Sequence, residues 1–281
     1  MPVVQTFAAH HTLEGAGFEV KRPLPLSALP SLGPFILLDH IGPTEVAPGK
    51  AVGAPTHPHA GIETLSYFLE GSGLHYDSLG NRAITGPGEA QWMRAGRGII
   101  HDEGPDEEMR RHGGRSHMVQ LWINMPGDRK GEPPAYQTLA RDAIPTVDFA
   151  GGARFRLVLG HLPTSRAPLE TWGNPLLLHG SLRAGQSSLV TLPPQEELGL
   201  FVLTGTVKVD GAAVNADELA ILDPTSDLQL APEKNAEVLV LGGDRVPDQM
   251  VRHGPFVANS PAEMHETIRA YQSGAFGTLT K

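Results

Sequence analysis

The chain has 281 residues, enough for one large domain or two of ordinary size, and its 22 Lys and Arg against 31 Asp and Glu give a formal net charge of -9. That balance repels phosphate backbones and anionic membrane surfaces, so direct nucleic-acid binding is excluded as a first reading. With no cysteine, disulfides, iron-sulfur clusters and thiolate zinc sites are ruled out, and any metal must sit on nitrogen and oxygen ligands.

The N-terminus lacks a basic segment followed by an apolar core, and no run is long enough to span a bilayer, so the chain reads as soluble and cytoplasmic. Its 33 glycines and 25 prolines are dispersed between short apolar runs, which predicts an all-β fold with many turns. Residues 1 to 50, broken by Pro23, Pro25, Pro30, Pro34 and Pro43, form a lead-in segment that wraps a first domain. From Thr64 onward, strands of about five residues alternate with Gly-containing turns as far as Met93, as in a sandwich or small barrel. A further strand follows over 117–124. The polar, proline-rich stretch from Pro126 to Pro134 is the best linker candidate.

Beyond it the sequence echoes itself. Leu200 to Val207 repeats the character of Tyr67 to Gly73, and Asn215 to Leu222 repeats Gly86 to Met93, an interval of domain size. The predicted organisation is a metal-binding domain over 1–130 with its lead-in, a related β-domain over 131–250, and a helix with its tail over 251–281. That helix opens on Ser260-Pro261-Ala262-Glu263 as N-cap, Pro at N1 and Glu at N3, carries Met264, Ile268 and Tyr271 as an apolar stripe, and stops at Gly274.

The chemistry concentrates between His57 and Glu103. His57 and His59 flank a proline, which favours an extended backbone, and strand residues two apart project from one face. His101 and Glu103 repeat the spacing about forty residues later, the distance for a strand to leave and return across a sandwich. Four ligands aimed at one point, three imidazoles and one carboxylate, suit iron(II), manganese, nickel or copper, leave zinc open, and do not suit calcium. They leave a divalent ion with about one net positive charge and two open positions of an octahedron, which matches an anionic substrate oxygen together with dioxygen.

A longer string extends this motif: Gly33-Pro34-Phe35, Asp39-His40-Ile41-Gly42-Pro43, His57-Pro58-His59-Ala60-Gly61-Ile62-Glu63, Gln91-Trp92-Met93, Gly96-Arg97-Gly98-Ile99-Ile100-His101 and Gly254-Pro255-Phe256-Val257. It resembles the pirin family of the cupin superfamily, densely over residues 30 to 126, sparsely over 135 to 250, and again at the C-terminal helix. The resemblance implies a bicupin of two β-sandwich or barrel domains, with one non-haem metal, Fe(II), on His57, His59, His101 and Glu103. It also implies a quercetin 2,3-dioxygenase-type enzyme that opens a flavonol with O2, Glu103 being the catalytic carboxylate. Pirin-like proteins are associated equally with a second role, an iron-bearing redox sensor that binds a transcriptional or metabolic protein partner without turnover.

Glu63 is the rival acidic ligand, because it would share a strand face with His59 if the strand is regular. The second domain has Thr191 and Pro193 where the first has His57 and His59, so no metal is predicted there, and His161 and His179 read as ordinary polar residues. His75 faces either the cavity or solvent. Arg94, Arg97, Arg110, Arg111 and Arg115, interrupted by acidic residues, read as a solvated mixed-charge loop, and Phe35, Leu37, Trp92, Met93 and Met125 are candidate cavity walls. A chain that pairs its own two domains is expected to be a monomer.

Overall fold

The computed structural model describes residues 3–245 and 249–279. The chain divides into two compact units, one formed by Met1–His10, Lys21–Ile36 and Asp142–Arg245, the other by His11–Val20, Leu37–Arg141 and Val246–Lys281. In the first unit, a seven-stranded antiparallel sheet centred on Glu197–Thr204, Ala236–Gly243 and Leu176–Leu182 accompanies a four-stranded sheet of Ser188–Val190, Leu228–Pro232, Thr206–Val209 and Ala212–Asn215. Leu178, Leu200, Val202, Val238 and Val240 from the larger sheet meet Val190, Val207, Val209, Val214 and Leu230 from the smaller in one core, which makes the unit a β-sandwich.

The second unit has the same plan. Its four-stranded sheet runs in the order Ala54–His59, Ile99–Pro105, Gly73–Asp77, Arg82–Thr85. Its seven-stranded sheet runs from Ala135–Leu139 through Ala90–Arg94, Ile62–Glu70 and Gly114–Asn124 to the lead-in strands Phe35–Val46, Phe18–Leu24 and His10–Glu14.

The sequence echo corresponds to a shared turn. Gly71 and Gly205 both end a long strand with positive φ, and a Cβ on either would meet a backbone oxygen, Arg115 O or Asn235 O, closer than 3 Å. The next turn is braced identically in both units: the Glu89 carboxylate accepts from Gly86 N at 2.8 Å, and the Glu218 carboxylate from Asn215 N at 2.7 Å. Gly88 N then donates to Phe68 O, and Asp217 N to Val202 O.

The stretch Pro126–Pro134 is not free chain. It forms a 3-10 turn at Gly127–Arg129, and Lys130 is buried with Nζ donating to Gly61 O, Asn124 Oδ1 and Met125 O at 3.0, 2.5 and 2.8 Å. A desolvated ammonium needs such a cage of acceptors. The helix forms over Pro261–Gln272, with Ser260 Oγ accepting from Glu263 N, and packs Met264 and Ile268 with Ala60, Phe256 and Phe276. The arginine-rich loop contains a short helix, Glu107–His112, whose Arg111 and His112 pair with Glu107 and Glu108, while Arg115 pairs with Glu70. These are mixed-charge surface pairs. No helix among the described residues is long and apolar enough to cross a membrane.

Candidate metal centre

The antiparallel register of the four-stranded sheet places His101 opposite His57, and Ile99 opposite His59. Alternation then puts His57, His59, His101 and Glu103 on one face. Three of the four converge. The Nε2 atoms of His57 and His59 are 3.1 Å apart, and those of His101 and His57 are 2.9 Å apart.

The outer nitrogens explain this orientation. His57 Nδ1 donates to Pro55 O at 2.7 Å and His59 Nδ1 to Pro255 O at 3.2 Å. A carbonyl can only accept, so both rings carry hydrogen on Nδ1 and present bare Nε2 lone pairs to each other. Burial, reinforced by the neighbouring His57, pushes His59 down to about 3 against the opposing pull of Pro255 O. His101 is likewise held well below its ordinary value by burial and then by His57, His59 and His75. His59 and His101 are therefore neutral at pH 7, the ligating form.

Two lone pairs about 3 Å apart with no hydrogen between them form an arrangement that a cation resolves. Ligands about 2.1 Å from an ion and 90° apart lie about 3.0 Å from each other, whereas a tetrahedral pair lies about 3.4 Å apart. The observed 2.9 and 3.1 Å are within the spacing of ligands that share one ion, so the donor set fits a divalent metal.

Glu103 is placed differently. Together with His75 and His101 it makes a second group of converging donor atoms, which shares His101 with the first but includes neither His57 nor His59. Its Oε1 accepts from Gln91 Nε2 at 2.6 Å and lies 3.3 Å from Ser66 Oγ, and its Oε2 is 3.9 Å from His101 Nδ1. Glu63 belongs to neither group. Gly61, at positive φ, separates Ala54–His59 from Ile62–Glu70, and the two strands enter different sheets. The parity argument for Glu63 sharing a face with His59 therefore does not apply.

The neighbouring strand contributes a pair of which the sequence pointed only to His75, as facing either cavity or solvent, and missed Asp77. His75 lies opposite Glu103, and Asp77 opposite His101. Both are buried, joined by His75 Nε2 donating to Asp77 Oδ2 at 3.1 Å, and the His75 ring stacks on Tyr136 with centroids 4.2 Å apart. The available signal was the spacing itself, since His75-Tyr76-Asp77 repeats the pattern of His101-Asp102-Glu103. Phe35, Leu37, Trp92, Met93 and Met125 are all buried, and the indole that meets the cluster edge-on is Trp122, 4.9 Å from the His59 ring, with the Arg252 guanidinium 5.8 Å from its centre. Among the described residues, no group of three metal-ligating side chains converges in the 142–245 segment.

A family model described as Pirin matches residues 17–123, and one described as Pirin C-terminal cupin domain matches residues 177–277. A Pseudomonas aeruginosa relative bearing the name "putative quercetin 2,3-dioxygenase" is 34% identical over 266 residues, covering 93% of each chain. The chain belongs to the pirin family. A pirin-like protein of Caulobacter vibrioides is 31% identical over 277 residues, covering 98% of this chain and 99% of its own. A crystal structure of quercetin 2,3-dioxygenase from Acinetobacter baumannii covers all of both chains at 30% identity with a TM-score of 0.92. The two β-sandwiches are thus the paired cupin domains of a pirin, a family of generally metal-binding proteins.

Proposed function

We propose that this pirin is a mononuclear non-haem metal dioxygenase that opens a flavonol of the quercetin type with O2. His57, His59, His101 and Glu103 would hold the ion, Fe(II) before Mn, Ni, Cu or Zn. The observation that carries the reading is the meeting of three imidazoles, the buried His59 and His101 and the half-buried His57, with the Nδ1–H groups of His57 and His59 tied to backbone carbonyls. The names of the similar Pseudomonas and Acinetobacter proteins support the substrate class.

A divalent ion on these ligands supplies Lewis acidity and open positions for a substrate oxygen and dioxygen. The residues of the chain do the rest. Glu103, at the inner face of the sheet, takes the proton of the substrate's 3-hydroxyl, leaving an oxyanion that complements the residual positive charge of the site. Trp122, edge-on to His59, offers an aromatic wall for a planar substrate. The buried His75, held by the buried Asp77, stands 4.0 Å from Glu103 as a fixed polar neighbour.

Anaerobic loading with Fe(II), followed by quercetin and air, tests the reading through loss of flavonol absorbance and release of carbon monoxide. Stoichiometric metal without flavonol consumption would end the dioxygenase reading and put the redox-sensing, partner-binding role in its place.

A further inference from the structure

Glu103 has a second home. Gln91, 5% exposed, donates its amide Nε2 to Glu103 Oε1 at 2.6 Å and to Ser66 Oγ at 3.4 Å. Its Oε1 accepts from the hydroxyls of Tyr136 at 3.0 Å and Thr85 at 3.3 Å. Two donors and two acceptors exhaust what a primary amide offers. The orientation is also fixed, since the flipped amide would set its oxygen against a carboxylate at 2.6 Å.

Ser66 adds little to this hold. Its single hydroxyl hydrogen is committed to Gln120 Oε1 at 2.6 Å, which leaves the 3.3 Å approach to Glu103 without a proton of its own. His75 and His101 stand 4.0 and 3.9 Å from the carboxylate, beyond hydrogen-bond reach. One short bond, aligned from behind by two hydroxyls, holds Glu103 Oε1, and the carboxylate does not join the group of His57, His59 and His101.

We propose that Gln91, aligned by Tyr136 and Thr85, is a dock for the Glu103 carboxylate that competes with the metal for it, making Glu103 an exchangeable ligand and Gln91 a positioning residue. This rests on the reading of the histidine cluster as a metal centre. While Gln91 holds Oε1, that oxygen and the carboxylate orientation it fixes are withheld from the ion, so the dock lowers metal affinity. In return it gives the carboxylate a satisfied resting place when a substrate oxygen takes its position.

Co(II) titration of the metal-free full chain, followed by calorimetry and visible absorption, tests the dock without turnover. Gln91→Leu is expected to tighten the Co(II) Kd about 10-fold, and Tyr136→Phe, which keeps the ring stack on His75, about 2- to 3-fold. In a Glu103→Gln background both effects should disappear, because a neutral amide has little to gain at either place. A folded Gln91→Leu with unchanged or weaker affinity overturns the proposal, as does an equal effect in the Glu103→Gln background. Should Gln91→Leu fail to fold, Tyr136→Phe decides by the same criteria. If the unaltered chain binds no Co(II), or binds it equally after His57→Ala, the metal reading falls and the dock with it. Binding that depends on His57 but not on Gln91 or Tyr136 removes the dock alone.

Discussion

His57 donates its Nδ1–H to the carbonyl of Pro55, two residues earlier in the same strand, across 2.7 Å. The ring is therefore oriented by its own backbone, and the proline that follows it keeps that backbone extended. His59 uses a carbonyl from far along the chain, that of Pro255. Two independent devices thus present Nε2, and the metal-free protein should show both rings as Nδ1–H tautomers in 15N-resolved imidazole spectra. Single substitutions His57→Ala, His59→Ala and His101→Ala should each lower metal affinity 10-fold or more. Full metal content in any of them by plasma mass spectrometry would remove that residue from the ligand set.

Glu103→Ala should lower metal content as well, whereas Glu63→Gln should leave it unchanged, because Glu63 stands outside both groups of converging donors. Retained occupancy in Glu103→Ala together with loss in Glu63→Gln would reverse the assignment.

The link between His59 and the rest of its unit passes through Gly61. With φ at +75°, a Cβ there would lie 1.8 Å from Val257 O, so Gly61→Ala must push away the hairpin that carries Pro255. Strain at positive φ adds about 1 kcal/mol, and the clash adds more. We expect a loss of about 2–4 kcal/mol in denaturant unfolding, with weakened metal binding. Unchanged stability and affinity would show that the hairpin yields without cost.

How much of this was legible depends on what each feature required. Strand alternation alone predicts that His57 and His59 share a face, and likewise His101 and Glu103, because parity within a strand is a local property, whereas the meeting of the two pairs needs the cross-strand register. It also makes Gly71 and Gly205 corresponding turns, and the Ser260 cap is read directly. The docking of Glu103 on Gln91 was not readable, since it depends on side-chain torsions and on a residue of the opposite sheet. His75 and Asp77 carried the right spacing, but only the cross-strand register reveals that they face Glu103. Pro126–Pro134 looks like a linker by composition, yet Lys130 finds its three acceptors through tertiary contacts that polarity cannot signal.

In the other unit, His179 offers a pH test. Burial, followed by the charge of its cross-strand neighbour Arg156, pushes it down to about 4. The unfolded chain, with a value near 6.5, binds more protons between those limits, so the native state is fully favoured above pH 6.5 and loses stability as pH falls toward 4. The depression corresponds to about 3 kcal/mol at most, reduced by the ring's partial contact with solvent. His179→Gln should lack this share of the acid slope in urea unfolding followed from pH 7 to pH 4. Parallel slopes in the two proteins would rule His179 out as the source.

The Pro255 carbonyl that orients His59 lies 196 residues beyond it. At about 5–20 residues per second of synthesis, His59 waits about 10–40 s for the group that sets its tautomer. Once residue 101 has been made, the nascent chain carries His57 and His101 for the rest of that interval, so the centre matures late, and cellular metal capture becomes a matter of timing as much as of affinity.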